Sequence, residues 1–416
     1  MKSPIPIAAF AMFAATAAVA QVVLPDAALD RAVSEAIARA PESVAARADA
    51  EAARRRIEPA RTLPDPTASL TWDGDRRMVS AMASQALPWP GKLALAARAA
   101  EEDASAIETS ETRRAALAIE ARVRNAYYDL AVAHAVQHLL GERRTTAQQI
   151  EEIARSRYAA GLGVQQDVVR AQIEIVRVDE QQNAQEAILT ARAAELAALV
   201  GHDVEPGEIP FDAAIPPVDD LIAAALQRNA EISGARASGD AAKTRVDLAK
   251  KNLLPDFVVS AGPMFGVGVG SKTRTFGAGA GISLPIFAKK KQRNQIAEAE
   301  ARLTAENARI DALTRDLALQ TRNRAASLAA ATKTAVMYTE KLLPLDDLSM
   351  QSALAGYQSG KLPFVSVLDA LHVLHDDRVA HMAHLADAAK WRVAIEEASA
   401  TPTVMSGTTN VPGAMQ

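Results

Sequence analysis

No proline occurs between Pro90 and Pro206, and none between Pro285 and Pro344. A proline inside a helix costs about 3 kcal/mol, so these are the stretches where helix can run unbroken. Helix held from Lys92 to Tyr158 extends about 100 Å at about 1.5 Å per residue, far beyond the width of a globular domain. Composition agrees. The chain is 49% hydrophobic but only 4% aromatic, and an Ala-rich, Leu/Ile/Val-spaced sequence suits long, closely packed helices. Ile296, Leu303, Ile310 and Leu317 recur at heptad intervals, and Ile119, Val123, Ala126, Leu130 and Ala133 step by four and three. Both are coiled-coil spacings. Pro344 is expected to kink the second long helix before Tyr357.

The chain reads as one unit written twice. LPDP at 63–66 matches LPDF at 254–257, QALPWPGK at 85–92 matches ISLPIFAK at 282–289, and Tyr158-x-x-Gly161 matches Tyr357-x-x-Gly360. The offsets are 191, 197 and 199 residues, a duplication with small insertions rather than a solenoid period. The repeats are placed at 21–204 and 205–400. They follow a signal peptide at 1–20, in which Lys2, an apolar stretch and Ala-Val-Ala before Gln21 form the targeting pattern. The Gly- and Pro-bearing stretch 401–416 is expected to be a mobile tail.

Each repeat predicts two short strands between its helices, at 67–73 and 79–87 and at 256–265 and 276–284. FGAGAGISL sets Phe276, Ala278, Ala280, Ile282 and Leu284 on one face, with glycines and Ser283 on the other. Strands of about 9 residues match tilted transmembrane β-strands, and Trp72, Trp89, Phe257, Phe265, Phe276 and Phe287 gather beside them like an interfacial girdle. Pro88, Trp89, Pro90 and Gly91, and later Pro285, mark the strand-to-helix junctions. The alternative is an ordinary soluble four-stranded sheet; if the strands cross a membrane, copies must share a barrel, because open sheet edges are not tolerated in lipid. Two copies give about eight strands with a filled interior; three give about twelve and a lumen. At the other end of the rod, Gly161 and Gly360 end helices in the left-handed conformation, and Pro363 suits the first turn of the next helix.

Other chemistries find little support. The net charge is −4 and the basic residues are interleaved with acidic ones, unlike a nucleic-acid footprint. Without cysteine there is no disulfide, thiolate metal site, cysteine nucleophile or lipid-modified N-terminal Cys. GVGVGSKT at 266–273 lacks the glycine before Lys272 and the following helix of a phosphate loop. His372, His375, His381 and His384 fall on opposed sides of a helix, which reads as a solvated face. Neither a catalytic constellation nor a resident metal or cofactor is expected, so the chain is not read as an enzyme.

The doubled Tyr-x-x-Gly turn with its Asp-bearing restart, together with the Leu-Pro strand exits, resembles the TolC-like outer-membrane efflux proteins over about residues 26–400. The resemblance implies a mainly α fold with a small β part. Its long duplicated coiled-coil hairpins carry four transmembrane strands per protomer, in a homotrimer with a 12-stranded barrel in outer-membrane lipids and a helical periplasmic tunnel. It implies docking of a periplasmic adaptor and an inner-membrane pump of the RND type at the hairpin tips. The family's tip residues fall on Asp167 and Tyr357, and its pore-constricting acidic residues on Ser366 and Asp369. Its basic locking residue falls on Leu362. Pro-Gly-Lys at 90–92 is similar to the heavy-metal efflux branch. Drug efflux and type I secretion are alternatives, and a non-pore periplasmic coiled-coil adaptor is the competing reading of a different class.

Overall fold

The computed structural model describes residues 27–75, 77–266 and 274–399. The targeting segment, the 401–416 tail and Lys272 lie outside the described residues. The chain opens with α1 (Ala27–Arg39), α2 (Pro41–Arg55) and α3 (Ile57–Arg61). Leu29, Ala32, Val33, Ala36 and Ile37 form the buried stripe of α1, at the three- and four-residue spacing of a helix that rests on a neighbour. The hairpin β1 (Thr67–Asp73) and β2 (Met78–Leu87) follows. Then come α4 (Lys92–Ile107), α5 (Arg113–Ala159) and α6 (Gln165–Val200).

The second half repeats this order. It comprises α7 (Val218–Arg228), α8 (Ala230–Lys251), β3 (Asp256–Gly266), β4 (Arg274–Ser283), α9 (Gln292–Met337), α10 (Leu343–Gln358) and α11 (Phe364–Ser399). Asn229 starts α8 by accepting hydrogen bonds on its side-chain oxygen from the amides of Glu231 and Ile232, a standard N-cap.

Two π-helical turns interrupt the long helices without ending them, at Glu108–Thr112 and Tyr338–Leu342. The second sits just before Pro344, where a kink was expected. A proline donates no backbone hydrogen bond and crowds the carbonyl four residues back; a widened turn absorbs that misfit and the helix resumes at Leu343. The first receives α8 at close range. A Cβ on Gly234 would lie 2.5 Å from that of Ser110, so only glycine permits this approach.

The strands form one antiparallel sheet in the order β1-β2-β3-β4. Its central ladder lapses between the pairs Ser80↔Met264 and Ala83↔Ala261. Pro263 has no N–H to give there, and a Cβ on Gly262 would fall 1.9 Å from the Ala81 carbonyl oxygen. The register sorts side chains by face. Leu70, Trp72, Val79, Phe257, Val259, Phe265, Phe276 and Ile282 share one face with alanines; Thr67, Ser69, Thr71, Ser80, Ser84, Ser260 and the β4 glycines share the other. The apolar face is open: Leu70 is 77% and Phe276 72% exposed. No helix among the described residues is long and apolar enough to cross a membrane.

Sheet and rod are joined where the repeats meet. The ammonium of Lys92, only 7% exposed, lies 2.8 Å from Asp256 Oδ1 and donates to the Leu254 carbonyl. The Trp89 amide donates to the same carboxylate oxygen at 2.7 Å, and the Trp89 ring stacks on Phe257. Pro88 leaves β2, the Pro90 carbonyl accepts from Lys251, and Gly91 takes φ 86° to turn the chain into α4. Lys92→Ala should lower stability by about 1.5–3 kcal/mol, the scale of a lost charged hydrogen bond, read as a lower thermal midpoint in detergent; Lys92→Arg should recover part of it.

Candidate functional site

Both hairpin turns have the same backbone. In the first, Gly161 donates to the Tyr158 carbonyl and Leu162 to that of Arg157; in the second, Gly360 donates to Tyr357 and Lys361 to Gly356. Gly161 and Gly360 hold φ of 70° and 73°. This is the paired-bond helix terminus that favours glycine. Pro363 precedes the next helix rather than joining its first turn, and its carbonyl accepts from the Ser366 amide.

The side chains differ where the backbones agree. Tyr357 is buried to 3% exposure, while Tyr158 is 48% exposed. The Tyr357 hydroxyl donates to Asp167 Oδ2 at 3.1 Å, which ties the second hairpin to the start of α6. Its ring meets Phe364 edge-on at 5.3 Å, and the Arg157 guanidinium lies 4.8 Å from the ring centroid. Arg157 also donates to the carbonyls of Leu162 and Gln358, so one cation spans both turns. Burial, and then the bond to Asp167, push the Tyr357 phenol up to about 12.

Arg157 supplies a cation that contacts both turns, where the resemblance puts its basic residue at Leu362. The two turns exchange bulk: Arg157 sits over Gly163, whereas Leu362 folds over Gly356. A Cβ on Gly163 would lie 3.3 Å from Arg157 Cβ, and one on Gly356 only 2.6 Å from Leu362 Cδ1. The large-small pairing of positions 157 and 163, reversed at 356 and 362, was visible in the aligned repeats.

Deeper in the rod, the Arg143 guanidinium holds Glu174 through Nε at 3.1 Å and through a second nitrogen, and both residues are buried. His372 Nε2 lies 3.0 Å from the other Glu174 oxygen. Burial pushes the Glu174 carboxyl up, but the bonds to His372 and Arg143 together hold it below the usual range. The histidines are therefore not a solvated face. His375 is buried, and that burial, then the charge of Arg143, lowers its basicity; His381 stacks on Tyr338. No group of three or more His, Asp or Glu among the described residues is arranged to hold a metal.

The remaining predicted residues lie along α11 and at the junctions. Asp369 is exposed and Ser366 half-buried. Val367 is fully buried, whereas Val365 is 43% exposed. The Pro285 carbonyl accepts from Ala288 in the turn before α9.

Residues 221–401 match the outer membrane efflux protein family. The fusaric acid resistance protein FusA of Burkholderia cepacia is 27% identical over 215 residues, 48% of this chain and 40% of that relative. The chain thus covers less than half of that relative's length. Among solved structures, the outer-membrane channel OprN superposes with a TM-score of 0.74 at 18% identity, covering 91% of each chain. The outer membrane protein VceC of Vibrio cholerae gives 0.73 at 22% identity, covering 90% of this chain and 96% of its own. CusC, whose structures describe transmembrane channel formation, gives 0.74 at 16% identity over 90% and 92%.

Tyr357→Phe keeps the ring contacts and removes the bond to Asp167. It should cost about 1.5–3 kcal/mol. Because the folded phenol is held above its ordinary value of 10.0, the stabilisation is complete below pH about 10 and is lost as pH rises through about 12. The stability gap between wild type and Tyr357→Phe should therefore shrink over that window in thermal denaturation.

Proposed function

We propose, from a chain whose residues 221–401 match the outer membrane efflux protein family, that the protein is a passive export duct of the outer membrane. Three copies share a 12-stranded barrel, and their helices continue it through the periplasm. The observation that carries this reading is the sheet. One face is largely apolar and open, the other carries Ser, Thr and Gly with Met78, Met82, Val258 and Met264 among them, and both outer edges are unpaired among the described residues. An isolated soluble sheet with such a face and such edges would aggregate; lipid outside and water inside suit the two faces. A periplasmic adaptor without a pore has no use for that arrangement.

In this reading the Tyr158–Gly161 and Tyr357–Gly360 turns form the periplasmic tip. A periplasmic adaptor and an inner-membrane pump of the RND type dock there, and the pump supplies the energy. Asp369, exposed on α11, and Ser366 face the narrowest part of the tunnel, where threefold carboxylates attract cations. The bond from Tyr357 to Asp167 and the bridge of Arg157 hold the turns closed.

The cargo is a small organic acid, which passes the carboxylate constriction uncharged or paired with a cation. The relative named for fusaric acid resistance supports that choice. Pro-Gly-Lys, which suggested metal efflux, is fully used in the junction: Gly91 for its left-handed turn and Lys92 for Asp256.

Fractionation should find the chain in the outer membrane as a trimer by native mass measurement; a soluble monomer would end the proposal. In planar bilayers Asp369→Ala should reduce cation selectivity and divalent-ion block with trimer yield unchanged. Arg157→Ala with Tyr357→Phe should raise conductance severalfold; equal conductance would mean that the tip contacts do not close the duct.

A further inference from the structure

The duplication carries information about the surface between copies. Strands of the first repeat map onto those of the second with an offset of 191 for β1 to β3 and 197 for β2 to β4. The pairing inside the hairpins obeys these offsets. Thr67 faces Ser84 in the first hairpin; shifting each by its own offset puts Val258 opposite Gly281, the pair found in the second. The two hairpins are therefore the same object, register included.

One seam remains to be mapped. β2 of the first repeat pairs with β3 of the second, with Leu87 facing Phe257 and Ala83 facing Ala261. Applying the same offsets carries this seam onto β4 and β1, which are the opposite edges of one sheet and cannot meet within a copy. We infer that β4 of one copy pairs antiparallel with β1 of the next in the register Ile282↔Ala68, Ala280↔Leu70 and Ala278↔Trp72, with the Lys289–Lys291 run set against Asp65. This rests on the shared-barrel reading.

Three observations agree with it. The mapped register keeps the faces in phase: Leu70 and Trp72 fall beside alanines on the apolar face, and Ser69 and Thr71 beside Gly281 and Gly279 on the other. A slip of one residue would invert every side chain of one edge. The exposure pattern is one-sided as well. At the inner seam Trp89 and Lys92 are covered by the start of β3, and Lys92 is 7% exposed. Their counterparts by the 197 offset, Ile286 and Lys289, are exposed, Ile286 at 78% and the neighbouring Phe287 at 70%. The missing cover corresponds to Asp65 and Pro66, themselves exposed at the other edge. Finally, the acceptor is duplicated, since Asp65 maps onto Asp256, the carboxylate that receives Lys92. The segment between β4 and α9 is longer than that between β2 and α4, so the ammonium comes from the three-lysine run.

The chain has no cysteine, so disulfide trapping in the oxidising periplasm reads the seam directly. Directly opposed strand residues have Cβ atoms about 4.5–5.5 Å apart, close enough to bridge; the two edges of one four-stranded sheet are about 14 Å apart at about 4.8 Å per strand and cannot. Full-length Ala68→Cys/Ile282→Cys should give covalent dimer and trimer bands on a non-reducing gel, at least tenfold stronger than Ala68→Cys/Ala280→Cys. In the same background Asp65→Lys should lower trimer yield, and replacing Lys289, Lys290 and Lys291 with Glu should restore it. A native trimer that cross-links better through 68/280, or through neither pair, overturns the register and leaves the duct standing. A chain that forms no trimer at all overturns both. Asp65→Lys without effect on yield removes the lysine contact.

Discussion

The carboxylate of Asp256 is the point at which a sheet and a rod become one structure. It receives the Trp89 amide and the Lys92 ammonium through one oxygen. These donors lie where β2 gives way to α4, and the acceptor where α8 gives way to β3. A single ion pair thus fixes the exit of one repeat against the entry of the other. Buried ion pairs contribute modestly to net stability but set geometry, because removing one partner strands the other. Here geometry is the need. A rod with few aromatics and small alanine contacts has little core to orient a sheet at its end.

The same economy runs along the helices. The buried residues gather in separate clusters rather than one core. One packs α1, α5, α6 and α11 in the middle of the rod, and another packs α5, α6, α10 and α11 at its tip. Between and beside them, polar groups cross-link the helices: Arg143 to Glu174, and His372 to Glu174. The Glu174 carboxyl is held below its usual range, so its contribution is present above about pH 4.5 and fades as pH falls through its lowered folded value. The tip bond from Tyr357 fades only at high pH. Between these limits both cross-links hold.

Much of this was legible in the sequence for concrete reasons. Proline gaps marked the long helices because proline is intolerable within them. FGAGAGISL announced β4 because alternation maps directly onto the faces of a strand. Gly161 and Gly360 announced the turns because the left-handed position demands them. What escaped was set by partners distant in sequence. Arg157 acts on Tyr357 from the other repeat, and Glu174 gains its role from Arg143 and His372. The histidines at 372–384 were misjudged since helical angle alone does not say which side a neighbouring hairpin covers. Pro344 was expected to kink its helix; the structure puts a π turn at Tyr338–Leu342 directly before it, which takes up the clash of the proline ring.

The tip shows how a duplication becomes an asymmetric device. The two turns share the paired bonds that end their helices, the second adding one from the Leu362 amide to the Gly356 carbonyl, so most of the difference between them lies in side chains. At the position of Asp167 the second repeat has Ser366; at the position of Arg157 it has Gly356. The first hairpin therefore offers a carboxylate and a guanidinium, and the second offers a buried phenol to receive both. Tyr158, the counterpart of that phenol, is exposed within one copy, and the position that matches its carboxylate partner is Ser366. One of the two possible hairpin contacts is thereby bonded and the other left weak. In the proposed trimer, separation of hairpins at the tip should begin where a tyrosine faces Ser366, at the joints between copies, before it reaches the bond between Tyr357 and Asp167.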